Sequence, residues 1–289
     1  MNSACLPFSL RALRSILNLL TILLHTRLQG LLCVLATLAA GCLLAAAQPA
    51  YAAGPCTATS GPARQALLEL YTSEGCNSCP PAEAWLSKIG AETPGVVPLA
   101  LHVDYWDSRA WRDRFDDPRF TARQQALSAR GGSGFVYTPE VAVSGGELRN
   151  WDSASAFSAA LSRIAAQPSP VRIQLMLSGS GGQRSVDARI IPTAGAKRLG
   201  AQAYLAVYEN HLVSRIGGGE NDGATLHHEF VVRQWLGPLA LTAGSGKFQQ
   251  GVNLAPEGAM PAAGQVGVVA FVEAADGEVL QALALPACE

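Results

Sequence analysis

Apolar positions along the chain fall first in short continuous runs and later in strict alternation. Residues 65–71 (QALLELY) and 96–103 (VVPLALHV) are near-continuous apolar runs, the pattern of strands in a sheet covered on both faces. Between them Trp85, Leu86 and Ile89 recur at helical spacing behind Pro80-Pro81. Prolines are tolerated in a first helical turn, whose N–H groups are not used, and Gly90 is expected to end this helix. Residues 104–115 (DYWDSRAWRDRF) are rich in aromatics and charges and have no clear period. Asp117-Pro118 then supplies a cap and first-turn proline for a helix to about Ala129, stopped by Gly131-Gly132. Residues 135–144 read as a turn into a strand, Gly145-Gly146 as a hairpin turn into 147–150, and Asp152 or Ser153 as the cap of a helix carrying Phe157, Leu161 and Ile164. Gln167-Pro168-Ser169-Pro170 closes this unit. Thereafter Val171, Ile173, Leu175 and Leu177 alternate with polar residues, as do Val186, Ala188 and Ile190. Further strands are predicted at 203–208, 230–232, 266–272 and 279–285, with Asp276-Gly277 as a hairpin turn between the last two. The predicted fold class is an α/β domain over 65–167, with an insert at 104–130, followed by an all-β, sandwich-like domain over 168–289. Residues 53–64 form a Gly/Pro/Ser-rich lead-in.

Charge changes the picture at the N-terminus. Residues 1–52 contain no Asp or Glu, carry Arg11, Arg14 and Arg27, and end in an apolar run followed by Ala50-Tyr51-Ala52. A basic region, an apolar region and a small-x-small end describe a cleaved export signal, so a periplasmic or secreted protein is expected. Two other readings stand beside it: the run 31–47 retained as an anchor, and lipidation at Cys42. Of the 21 basic residues three lie in this segment, leaving 18 against 22 acidic ones, a formal charge of −4. A mildly acidic surface argues against nucleic acid as a partner. No membrane association is expected once the signal is cleaved, and the sequence does not specify an oligomeric state.

Export also sorts the seven cysteines. Cys5, Cys33 and Cys42 leave with the signal, and Cys56, Cys76, Cys79 and Cys288 enter an oxidising compartment. Cys76 and Cys79 form a Cys-x-x-Cys between a strand and a helix. The positive end of a helix stabilises a thiolate, which is the reactive form in disulfide exchange. The near-terminal Cys56 and Cys288 are left to pair with each other, a cross-link that would restrict the unfolded chain by about 4–5 kcal/mol in the entropy model.

The placement of Cys76 and Cys79 resembles the redox centre of thioredoxin-like folds. In that resemblance Thr138-Pro139, a proline entering an apolar strand, corresponds to the cis-proline that faces the cysteines and exposes the preceding backbone to a substrate peptide. Pro139 follows Cys76 by 63 residues, more than in minimal thioredoxins, and the surplus lies in the 104–130 insert, a lid or specificity element. Cys76 is the expected attacking thiolate and Cys79 the resolving thiol. His102, Asp104, Asp107 and Glu74 are accessory candidates, for proton transfer or for holding the aromatic segment. Trp106 and Trp111 are expected to pack the insert. Arg215, Glu220 and Asn221 in the Gly-rich RIGGGENDG loop form a surface site or a turn. His227 and His228, adjacent in a strand, point to opposite sides and make a poor metal pair.

Taken in order, ELYTSEGCNSCPPAEAWL, LHVDYWD, WRDRFDDPRFTARQ, VYTPEVAVSG and GGGENDGATLHHEFVVRQW resemble the DUF1223 family of secreted bacterial proteins. That resemblance implies a thioredoxin-like domain with a β-rich C-terminal part and supplies no substrate. The functional expectation is an exported thiol–disulfide oxidoreductase acting on a protein thiol or disulfide partner, without cofactor or metal. Two alternatives stay open: a soft-metal (copper) module using Cys76, Cys79 and His102, and a non-catalytic interaction protein.

Overall fold

The computed structural model describes residues 56–193, 200–242, 245–255, 262 and 264–288. The predicted signal segment, and residues 53–55 of the lead-in, lie outside the described residues. Among those described there are fourteen strands and three helices.

The first half of the chain alternates strand and helix. β2 (Ala66–Thr72) and β3 (Val96–His102) are parallel neighbours in register from Ala66↔Val96 to Thr72↔His102. They are joined by α1 (Pro80–Glu92), which begins with prolines at its first two positions. Gly90 does not end α1; the helix runs to Glu92 and is capped at Thr93. Gly90 instead lets the Phe230 ring approach, since a Cβ there would fall 2.3 Å from Phe230 Cε2. α2 (Pro118–Gly131) starts at Asp117, whose side chain accepts from Arg119 N, and ends at Gly132 with φ +75°, a left-handed conformation that glycine adopts without penalty. β4 (Glu140–Val143) runs antiparallel to β2 and turns into the two-residue β5 (Gly146–Glu147). α3 (Ala154–Ala165) is capped by Ser153.

The second half supplies strands to two sheets. A four-stranded sheet has the order β1–β6–β7–β12, from β1 (Cys56–Thr59), β6 (Val171–Ser178), β7 (Gln183–Pro192) and β12 (Gly246–Asn253). An eight-stranded sheet has the order β14–β13–β8–β11–β3–β2–β4–β5, adding β8 (Gln202–Glu209), β11 (Val231–Ala240), β13 (Val266–Glu273) and β14 (Val279–Pro286). A hairpin, β9 (Leu212–Arg215) and β10 (Thr225–His228), completes the fold.

This architecture corrects the predicted fold class. The molecule is mostly β, and there is no thioredoxin-like α/β domain followed by a separate β-sandwich, because strands from both halves share the eight-stranded sheet. The joint is β11, which lies parallel to β3 at Val231↔Ala100 and antiparallel to β8, with Ala100 N donating to Phe230 O at 2.8 Å. An unpaired β3 edge would expose a row of backbone donors and acceptors, and β11 covers it. The lead-in is corrected too: β1 pairs with β6 from Cys56↔Leu177 to Thr59↔Gln174.

Both faces of the large sheet are buried. On one face α2, through Phe120 and Leu127, packs on Leu67, Leu99, Tyr208 and Phe271. The opposite face is shared. Around β2–β4, Ala82 and Leu86 of α1 and Phe157 of α3 pack on Leu68, Leu70 and Val141. Around β8–β14, the alternating Ile173, Leu175, Val186 and Ala188 of the smaller sheet meet Leu205, Val268 and Leu283. The 104–130 segment is therefore not simply a lid, since its second half is the core helix α2.

Candidate functional site

Cys76 and Cys79 are joined in a disulfide, with Cα atoms 5.5 Å apart, at the point where the chain leaves β2 and enters α1. Both are fully buried, whereas Asn77 and Ser78 between them are exposed. Cys79 is the N-cap residue of α1. Pro80 and Pro81 have no N–H, and the N–H groups of Ala82 and Glu83 bond to Cys79 O, so α1 offers the sulfurs its dipole rather than free donors. The donor close to sulfur is a side chain: Ser78 Oγ lies 3.3 Å from Cys76 Sγ and 3.5 Å from Thr138 O. The Thr138–Pro139 peptide bond is cis, and Thr138 Oγ1 accepts from Trp106 Nε1 at 2.7 Å.

A Gly-rich loop covers this segment from the far end of the sequence. Asn221 Nδ2 donates to Glu74 O at 2.9 Å and to Cys76 O at 3.0 Å, and Asn77 N donates to Glu220 Oε2 at 3.2 Å. Gly218 lets the loop touch the aromatic segment, because a Cβ there would stand 2.2 Å from Ala110 O. Arg215 is exposed at the end of β9 and is not part of this contact.

Beside the loop, at the C-terminal ends of β2 and β3, lies a buried charged cluster. His228 is the inward-facing residue of the β10 pair, and His227 is exposed. His228 Nδ1 is 2.6 Å from Glu83 Oε2, and Glu83 Oε1 accepts from Thr72 Oγ1 at 2.6 Å. His228 Nε2 stands 3.6 Å from Glu74 Oε1, a charge contact rather than a hydrogen bond. Burial by itself would lower the His228 pKa, but the carboxylates of Glu74 and Glu83 outweigh it and push the imidazole up to about 9. His102 Nδ1 is 2.7 Å from Asp113 Oδ2. Burial opposes ionisation of Asp113, but His102 and the backbone N–H groups of Glu74 and Phe115 prevail and hold its carboxyl below the ordinary value. The other Glu74 oxygen accepts from Trp111 Nε1 at 3.1 Å.

Of the accessory candidates, Glu74 and His102 lie in this cluster. Asp104 and Asp107 do not: Asp104 accepts from Thr121 Oγ1, and Asp107 accepts from Asp113 N at 3.0 Å and pairs with Arg112. The partner of His102 is Asp113, which sequence reasoning missed, along with Glu83. Glu83 carried one signal, its place four residues after Cys79 on the first turn of a helix. Cys56 and Cys288 are disulfide-bonded with Cα atoms 5.7 Å apart. In the oxidised pair the two sulfurs are bonded to each other and are not free to join His102 as soft-metal donors. Two large surface clefts, one bordered by Glu147, Arg163 and Glu278 and another by Arg119, Arg130 and Tyr204, are not lined by either cysteine.

A family model described as "Protein of unknown function (DUF1223)" matches residues 67–273, most of the chain and all of the site. The chain belongs to the DUF1223 family. No curated protein matches it. Its fold is similar to the crystal structure of a protein from Agrobacterium tumefaciens, with TM-score 0.57 and 20% identity over 78% of this chain and 96% of that one. It is also similar to HBP35 of Porphyromonas gingivalis, with TM-score 0.56 and 18% identity over 78% of this chain and 76% of that one. At such identities the likeness concerns the fold. This DUF1223 chain therefore takes its chemistry from its own residues. Among the described residues no helix is long and apolar enough to cross a membrane.

Proposed function

We propose that this DUF1223 protein is an exported thiol–disulfide oxidoreductase that works on a protein partner through Cys76 and Cys79. The observation that carries the reading is the Cys76–Cys79 bond at the start of α1, bridged by the exposed Asn77 and Ser78. In the reduced protein the Cys76 thiolate attacks a partner disulfide, forming a mixed disulfide and releasing one partner thiolate, which takes up a proton. The Cys79 thiolate then attacks Cys76 Sγ, expels the second partner sulfur and restores the Cys76–Cys79 bond. The reverse sequence reduces the pair and oxidises the partner. Ser78 Oγ supports the first step as a donor within reach of Cys76 Sγ. The exposed Asn77 and Ser78 and the half-buried Thr138 form the edge of the site that an extended peptide would meet. Among the described residues all four cysteines are paired in disulfides, which supports an oxidising compartment.

Equilibration of the purified protein with glutathione buffers tests the reading. A Cys76–Cys79 potential above about −300 mV is expected, and a value below it, where structural disulfides lie, overturns the proposal. A Cys79→Ser variant should accumulate a mixed disulfide through Cys76 with a disulfide-bearing protein, and a Cys76→Ser variant should not.

A further inference from the structure

The buried cluster beside the disulfide has a property that exchange chemistry does not use. His102 Nε2, His228 Nε2 and Glu74 Oε1 each lack a hydrogen-bond partner, although His102 and Glu74 are 0% exposed and His228 is 1% exposed. Buried polar atoms without hydrogen bonds are uncommon and costly. His228 Nε2 and Glu74 Oε1 have only their 3.6 Å charge contact with each other, and His102 Nε2 has no hydrogen bond, so a ligand would satisfy all three. The side chains meet closely. One donor atom from each of Glu83, His102 and His228 lies within 4.8 Å of the others, and Glu74 Oε1 is 3.6 Å from His228 Nε2.

Each ring is also held by its opposite nitrogen. His102 Nδ1 rests on Asp113 and His228 Nδ1 on Glu83, while Glu83 is itself fixed by Thr72. Metal-binding histidines are oriented in this way, with one nitrogen on a carboxylate and the other on the ion. In its neutral form each imidazole would keep its proton on the Nδ1 that faces a carboxylate and present a lone pair at Nε2. The two ring centroids are 5.3 Å apart, and Glu74 Oε1 stands beside His228 Nε2. Three carboxyl groups, of Glu74, Glu83 and Asp113, face the two imidazoles, a surplus of acidic groups that suits a cation.

We propose that His102 Nε2, His228 Nε2 and Glu74 Oε1 form a binding site for a divalent first-row cation of the zinc class, with Glu83 and Asp113 orienting the rings. Imidazole and carboxylate donors suit zinc and its neighbours, and donors on one tetrahedral zinc stand about 3.3 Å apart, close to the spacing already present between His228 and Glu74. Binding releases the protons that the cluster holds. The site needs no thiolate and does not rest on the redox reading.

The test uses chelator-treated protein with both disulfides intact. Calorimetric titration with zinc should show one ion per chain, and cobalt(II) should give visible ligand-field bands without sulfur-to-cobalt charge transfer. Binding should persist in a Cys76→Ser/Cys79→Ser variant, and should weaken at least tenfold in His102→Ala and in Glu74→Gln. X-ray absorption of the zinc-loaded wild type, which needs no variant to fold, should show imidazole and oxygen neighbours. Absence of binding at millimolar zinc, a sulfur or all-oxygen shell, or unchanged affinity in a folded His102→Ala variant overturns the site.

Discussion

Burial pushes the Glu140 carboxyl up from its ordinary 4.5 to about 7, although Gln124 Nε2 donates to it at 2.7 Å. Between those two values the native state holds a proton that the unfolded chain has released. Stability is therefore fully present below pH 4.5 and is lost as pH rises through about 7. Glu140→Gln keeps an acceptor for Gln124 and removes the charge. The variant should match the wild type at pH 4 and exceed it by about 1–2 kcal/mol at pH 8, as read from urea midpoints across that range. His228 shows the converse balance, since its two carboxylate neighbours favour the charged form against burial. One residue type in one strand pair thus has two fates. His227 faces solvent and His228 faces the cluster, as the two-residue period of a strand requires.

At the scale of elements, the Gly-rich loop lies against the segment that carries the disulfide. A single amide, Asn221 Nδ2, serves the carbonyls of both Glu74 and Cys76, and so ties the loop to the segment entering α1. Asn221→Ala should loosen this contact by about 1 kcal/mol and raise the rate of Cys76–Cys79 reduction by dithiothreitol about fivefold. An unchanged rate would show that the loop does not limit access. α1 has its own compromise. Its two prolines set the helix start but remove two donors, which leaves Ser78 as the hydroxyl near Cys76.

At the scale of the molecule, the Cys56–Cys288 bond joins β1, an edge strand of the smaller sheet, to the residues just after β14, an edge strand of the larger one. It staples the two layers that enclose the Ile173–Leu205–Val268 core. Replacing both cysteines with serine should cost about 4–5 kcal/mol and lower the melting temperature by roughly 10–15 °C in calorimetry, while leaving the Cys76–Cys79 potential unchanged. Arg123 of α2 makes a second tie between the halves of the chain, pairing with Glu69 of β2 at 2.6 Å and Glu273 of β13 at 2.7 Å.

By itself the sequence determined the local features. The apolar runs marked β2 and β3, alternation marked β6 and β7, and Asp117 and the Asp152-Ser153 pair marked helix starts, the structure choosing Ser153 as the cap. These signals are legible because periodicity and capping act over a few residues. The Cys-x-x-Cys was legible for the same reason, as a short motif whose two members must be neighbours. Only the tertiary structure decided the sheet that unites the two halves, the β1 strand in the lead-in, and the cluster of Glu74, Glu83, His102, Asp113 and His228. Glu83 and His228 are 145 residues apart in sequence, and nothing local marks either as the partner of the other. Their pairing follows from β11 closing the edge of β3, which places the end of β10 against the start of α1 and takes the charges out of water together.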